Sequence, residues 1–124
     1  MMQPLALVVY EKLLPGSQLV NRLQDLNYRV QTIPDADKLV EVAELSTPMV
    51  VLADLESTRK NVIPSISRLR QNPATKHVPV IAFTETDEAA NLQEAQTAGA
   101  TLVVTDTAIL NHLPQLLEQA LRVE

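Results

Sequence analysis

The residues of this chain that could do chemistry are a few carboxylates and hydroxyls standing directly after apolar runs. Asp54 follows the run MVVLA and Glu11 follows Leu5–Val9 and Tyr10. Thr84 follows Val78–Phe83, and Thr105 and Asp106 follow Thr101–Val104. If Glu11 and Asp54 end neighbouring strands, their two carboxylates converge at one edge. Such a pair suits Mg²⁺, which takes oxygen ligands and keeps part of its water shell. A carboxylate so placed can also accept a phosphoryl group, provided metal and cationic side chains neutralise the incoming charge. The Thr84 hydroxyl can then bond a phosphoryl oxygen. The same residue types also serve as ordinary caps and turn formers at strand ends, so both readings stand at this point.

The elements that must position these residues follow from the hydrophobic pattern. Continuous apolar runs at Leu5–Val9, Met49–Ala53, Val78–Phe83 and Thr101–Val104 suit parallel strands buried on both faces. Tyr28–Ile33 alternates and suits a strand nearer an edge. Helical spacing separates them. Leu19, Val20, Leu23 and Leu26 follow Pro15-Gly16-Ser17, and Leu39, Val40, Val42 and Ala43 follow Asp35 and Asp37. Val62, Ile63, Ile66 and Leu69 form a third set around Pro64. Ala89, Leu92 and Ala95 form a weaker fourth, stopped by Gly99. Leu113, Leu116, Leu117, Ala120 and Leu121 form the last, with Asn111 as the expected N-cap and Pro114 in the first turn. Five strand–helix repeats predict an α/β domain, a parallel sheet with helices on both faces. Sites in such sheets lie at the carboxyl ends of the strands, where the carboxylates and hydroxyls stand.

These residues carry a resemblance. The chain resembles the receiver domain of two-component response regulators over nearly its whole length. The most specific stretch is ISRLRQNPATKHVPVIAFTETDEAANLQEAQTAGA, residues 66–100. MVVLAD matches the strand that ends in the family's phosphoacceptor aspartate, here Asp54, and VIAFT places the family's hydroxyl on Thr84. The resemblance implies a single receiver-like domain over 1–124. Its fold would be flavodoxin-like and doubly wound, five parallel strands in the order 2-1-3-4-5. It also implies two-component signalling, a histidine kinase or another signalling protein as partner, and a homodimer through the fourth helix, fifth strand and fifth helix.

The chain departs from the family at the positions that matter for phosphotransfer. Where receivers carry two adjacent acids after the first strand, this chain has Tyr10-Glu11. Where they carry Lys-Pro after the fifth strand, it has Thr105 or Asp106, depending on a one-residue gap. The loop after Asp54 reads LESTRKNV, without the usual Met-Pro and Asp-Gly, and a bulky Glu85 follows Thr84. Lys12, which follows the first strand, is placed to substitute in part or to point to solvent, the usual fate of a lone loop lysine. A phosphorylated aspartate without its lysine and metal faces uncompensated negative charge. The expected function is therefore a pseudo-receiver, acting by protein–protein interaction with phosphotransfer impaired or lost, and not an enzyme. The alternative is a working single-domain regulator phosphorylated on Asp54, with Mg²⁺ at Glu11 and Asp54. No other cofactor is expected.

Composition removes other classes. The 124 residues contain no Cys and three aromatics, Tyr10, Tyr28 and Phe83, with a net charge of −5. That excludes thiolate chemistry and disulfides and disfavours nucleic-acid binding. No run approaches the roughly 20 apolar residues of a membrane span, and a cytoplasmic location is the default expectation. With only Gly16 and Gly99, no glycine-rich phosphate or dinucleotide loop exists. His77 and His112 stand apart from any ligand spacing, and the serines lack a triad context. Charge is unevenly spread. Arg59, Lys60, Arg68, Arg70 and Lys76 occupy 59–76 without an acid, whereas 77–121 holds Glu85, Asp87, Glu88, Glu94, Asp106 and Glu118 without Lys or Arg. An acidic face for a basic partner is one reading, and mutual complementation of adjacent helices on a solvated surface is the other.

Overall fold

Five strands form where the sequence runs apolar: β1 (Leu5–Val9), β2 (Arg29–Ile33), β3 (Val50–Asp54), β4 (Val80–Thr84) and β5 (Leu102–Thr105). They are seen in a computed structural model that describes residues 4–10, 13–33, 35–55, 62–84 and 89–123. All neighbours are parallel, in the order β2-β1-β3-β4-β5. This is the flavodoxin-like, doubly wound sheet expected from the sequence.

Among the described residues, six α-helices divide between the two faces. Helices α1 (Leu13–Asp25), α5 (Asp106–Asn111) and α6 (Leu113–Val123) supply Leu19, Leu23, Ile109, Leu113 and Leu117 to a core that includes Val8, Leu52 and Phe83. Helices α2 (Leu39–Ser46) and α3 (Val62–Gln71) supply Leu39, Ala43, Ile66 and Leu69 to the core on the other face, with Leu7, Val51 and Val80. Helix α4 (Ala89–Ala98) brings Ala98 against this second core. Every residue of β1, β3 and β4 is buried. A fully buried Leu or Ile contributes about 1.5–3 kcal/mol, so these strands and their covering helices carry most of the stability. Among the described residues no helix is long and apolar enough to cross a membrane.

Four details differ from the sequence reading, each for a local reason. Helix α1 starts at Leu13, ahead of Pro15-Gly16-Ser17. Pro15 is then its third residue, among the N–H groups that have no intrahelical partner, so no bond is lost. Leu26 falls beyond the helix and is exposed. Asn27, at φ 69°, closes α1 with bonds from its N–H to the Gln24 carbonyl and from the Tyr28 N–H to the Leu23 carbonyl. The run Leu102–Val104 is only half-buried, because β5 is an edge strand paired with β4 alone. The last helix, α6, carries Pro114 in its first turn as expected, but a further short helix, α5, precedes it. Pro114 has no N–H to give the Leu110 carbonyl and its ring opposes that carbonyl, so α5 ends at Asn111. His112, not Asn111, takes the cap position of α6, its carbonyl accepting from the Leu116 N–H at 3.0 Å.

Gly99 ends α4 as the sequence predicts. Its φ is +116°, and the Ala100 N–H reaches back to the Ala95 carbonyl at 3.0 Å. A Cβ placed here would lie 2.7 Å from Cγ of Arg70. The Arg70 side chain is itself held by a 2.6 Å bond from Nη1 to the Val78 carbonyl. Gly99→Ala should therefore destabilise by about 1–3 kcal/mol, read as a lower urea midpoint at unchanged m value. The loss should shrink in an Arg70→Ala background, where only the backbone strain remains.

Tyr28 packs against the α1 core, and burial pushes its phenol pKa above the ordinary value. Its stabilising share is intact below about pH 10, where the unfolded phenol ionises, and is lost as pH rises through the higher folded value. Tyr28→Phe should flatten this part of the alkaline unfolding curve, followed by circular dichroism.

Candidate functional site

The parallel register brings the carboxyl ends of the strands together. Val9 pairs with Ala53, Asp54 with Phe83, and Thr84 with Thr105. Tyr10 and Asp54 each lie one step past the Val9–Ala53 pair, on adjacent strands. Alternation also puts them on one face: Ala6 and Val8, like Val50 and Leu52, point into the α1–α5–α6 core, and Tyr10 packs against that core. Asp54 is 2% exposed and Thr84 fully buried. Buried carboxylates and hydroxyls require polar partners, so both side chains belong to an organised strand-end site and not to the solvated surface.

At the end of β5 the sequence left two residues competing for one position. Thr105 is the last strand residue, level with Thr84, and Asp106 opens α5. Thr105 is extended, at φ −81° and ψ 161°, and its Oγ1 accepts from the Ala108 N–H at 3.1 Å. It is the N-cap of α5. Asp106 follows in the first helical turn, where the helix dipole favours a negative charge. For Thr105 the ordinary capping role of a strand-end hydroxyl is the one observed, a hydroxyl followed by an acid at a helix start.

Glu11, Lys12 and Glu85 lie outside the described residues. Among the described residues no three His, Asp or Glu side chains gather as a metal site, and His77 and His112 are both exposed. Asp54 offers the oxygen chemistry that Mg²⁺ accepts. Beside it, Tyr10 supplies a half-buried phenol where the second carboxylate of a metal pair would help. Asp106 is two strands away, about 10 Å at a strand spacing of 4.7–4.9 Å.

A doubly wound sheet in this order, with an aspartate ending its central strand, defines a flavodoxin-like fold. The family model for the response regulator receiver domain matches residues 7–118. The chain belongs to that family, a receiver domain of two-component signalling. No curated protein matches it in sequence. Among solved structures, it is similar to the magnesium-bound receiver domain of a sensor histidine kinase from Pseudomonas aeruginosa, at 19% identity, covering 98% of this chain and 99% of that one, with a TM-score of 0.87. It is similar to a chemotaxis protein of Vibrio cholerae, at 19% identity over 96% of this chain and 99% of that one, TM-score 0.85. A response regulator of Thermotoga maritima shares 15% identity over 98% and 99% of the two chains, TM-score 0.81. At these identities the likeness is one of fold.

The cap at Thr105 is directly testable. Thr105→Ala should cost about 1 kcal/mol in chemical denaturation, and Thr105→Ser should retain most of the stability. Equal loss in both variants would mean that the hydroxyl is not what holds the start of α5.

Proposed function

We propose that residues 1–124 form one receiver-like module that acts by protein–protein contact, with the family's phosphotransfer impaired or lost. The observation that supports this most strongly is Thr105. At the end of β5, where the family resemblance calls for a lysine, stands a neutral hydroxyl already engaged in capping α5. A cation about 4 Å from a phosphorylated Asp54 would be worth about 4 kcal/mol at an effective dielectric of 20. Asp106 works in the opposite direction but more weakly, since two unit charges about 10 Å apart repel by about 1–2 kcal/mol under the same screening. Absence of the lysine is thus the larger effect. Tyr10 adds to it by replacing a carboxylate that would share the metal. The reading assigns no catalytic residue and no resident cofactor.

The partner on this reading is a histidine kinase or another signalling protein, and a second copy can pair through α4, β5 and α6, the last being the fifth helix read from the sequence. Half-buried Leu102, Val103 and Val104 on an edge strand support that face. The acidic balance, with an isoelectric point near 5.0, argues against nucleic acid as a partner. A cytoplasmic setting suits a partner of this kind. Retention of Asp54 and Thr84 favours the competing reading, a regulator phosphorylated on Asp54 with Mg²⁺ at Glu11 and Asp54.

Intact-mass measurement after incubation with Mg²⁺ and a small-molecule phosphodonor separates the two. The proposal expects no one-phosphate mass gain. A gain that disappears in Asp54→Asn would overturn it.

A further inference from the structure

At the opposite end of β3 from Asp54, the turn that leads out of α2 is strained. Thr47 closes α2 at φ 47° and ψ 63°, in the left-handed region that glycine or asparagine ordinarily occupies at a helix end. A β-branched side chain is costly there. The next residue is Pro48, and a proline favours extended backbone in the residue before it. Strain of this kind persists only where the surroundings hold it. Here the Thr47 N–H donates to the Ala43 carbonyl at 3.0 Å, and the Met49 N–H donates to the Leu5 carbonyl at 2.8 Å, fixing the entry to β3. Pro48 is buried, and so is all of β3. Any relaxation of Thr47 must therefore be taken up by the end of α2.

That end is lightly held. Leu39 and Ala43 anchor α2 in the core, but none of residues 44–47 is buried. The side-chain ties seen there are hydrogen bonds, for which water can substitute. Ser46 Oγ donates to the Val42 carbonyl at 2.6 Å, Thr47 Oγ1 to the Ser46 carbonyl at 2.7 Å, and Asn72 Nδ2 to Glu44 Oε2 at 2.7 Å. Leu45 is 85% exposed, an apolar side chain left in water. Next to it lies a cavity of about 480 Å³ whose lining includes Ser46, Thr47 and Pro48 on one side and Val78, Pro79 and Leu121 on the other. We infer that the last turn of α2 is a strap that closes over this cavity. In the closed form residues 44–46 leave the helix, Thr47 relaxes to extended backbone, and Leu45 turns onto Val78 and Pro79. Release of strain and burial of Leu45 offset the hydrogen bonds of one helical turn. The open form is the major one, with the closed form on the order of 1% of molecules. Helix α2 thereby displays or withdraws an apolar side chain, which changes the surface it offers without any change at Asp54.

Relaxation dispersion on the isotope-labelled full chain reads this exchange. The amides of Leu45, Ser46 and Thr47 and the methyls of Leu45 and Val78 should exchange together, at one rate on the microsecond-to-millisecond scale. Thr47→Asn, which suits left-handed backbone, should lower the closed population about fivefold. Leu45→Ala removes the side chain that closes, and should lower that population as much and abolish the exchange at Val78. Both positions are exposed, and an unchanged amide spectrum elsewhere shows that the fold is retained. The inference is overturned by flat dispersion at residues 45–47, by exchange there that Val78 does not share, or by a closed population unchanged in either variant. None of these readouts involves phosphate at Asp54, so they stand apart from the mass measurement that tests the preceding proposal.

Discussion

Strands β1, β3 and β4 are covered on both faces, and this burial is the constraint on which the molecule depends. A polar side chain inside such a strand would lose water without gaining a partner, at a cost of several kcal/mol. Apolar residues therefore fill each strand until its carboxyl end, where the covering helices stop and a polar group can be accommodated. Asp54 and Thr84 are the last residues of their strands for this reason. Parallel pairing then requires that these ends lie side by side. The site is a consequence of the sheet, and its residues need contribute little to the sheet's stability.

The edges relax this constraint in two ways. β2 alternates and shows mostly polar side chains to solvent, while β5 keeps an apolar sequence with only one neighbour. The second arrangement leaves partly exposed aliphatic surface between α4 and α5, a feature of a strand that gains from being covered. The far end of α4 is tightly fixed by contrast. Gly99 turns the chain under the Arg70 side chain, whose guanidinium is bonded to the Val78 carbonyl. One side chain of α3 thereby ties together the entry to β4 and the approach to β5.

Burial on both faces is also why the central sheet was legible in the sequence: nothing else requires unbroken aliphatic runs of this length. The same rule misread Leu102–Val104, because a run of letters does not say whether a strand has one neighbour or two. Helix interiors were readable from the spacing of Leu19 and Leu23, or of Ile66 and Leu69. Their ends were less so. Pro15 was taken as a boundary although the first helical turn tolerates it, whereas Pro114 sits in the first turn of α6 as expected and also stops the short helix before it. The difference lies in whether a carbonyl four residues earlier is waiting for a bond. At the site, Asp54 and Thr84 were visible as polar residues ending apolar runs. The capping bond of Thr105 was one of two roles open to a strand-end hydroxyl, and its residue type alone does not choose between them. Arg70's tie to Gly99 joins residues 29 positions apart by number, and no local pattern announces it.

Thr105 connects the fold to the proposed function. A lysine at a strand end can project toward a neighbouring phosphoryl group, but it cannot accept a hydrogen bond from the N–H groups of the helix that follows. Threonine can, and its hydroxyl satisfies one of the donors at the start of α5. Helix α5 has only six residues and is cut off from α6 by Pro114, so it has little internal bonding to spare. A cap worth about 1 kcal/mol is then a substantial share of what holds it. If Thr105 holds the position of the family's lysine, as proposed, a cap on α5 stands where a cation would compensate charge at Asp54. On the proposed reading the exchange is tolerated, because contact between proteins does not require a cation beside Asp54.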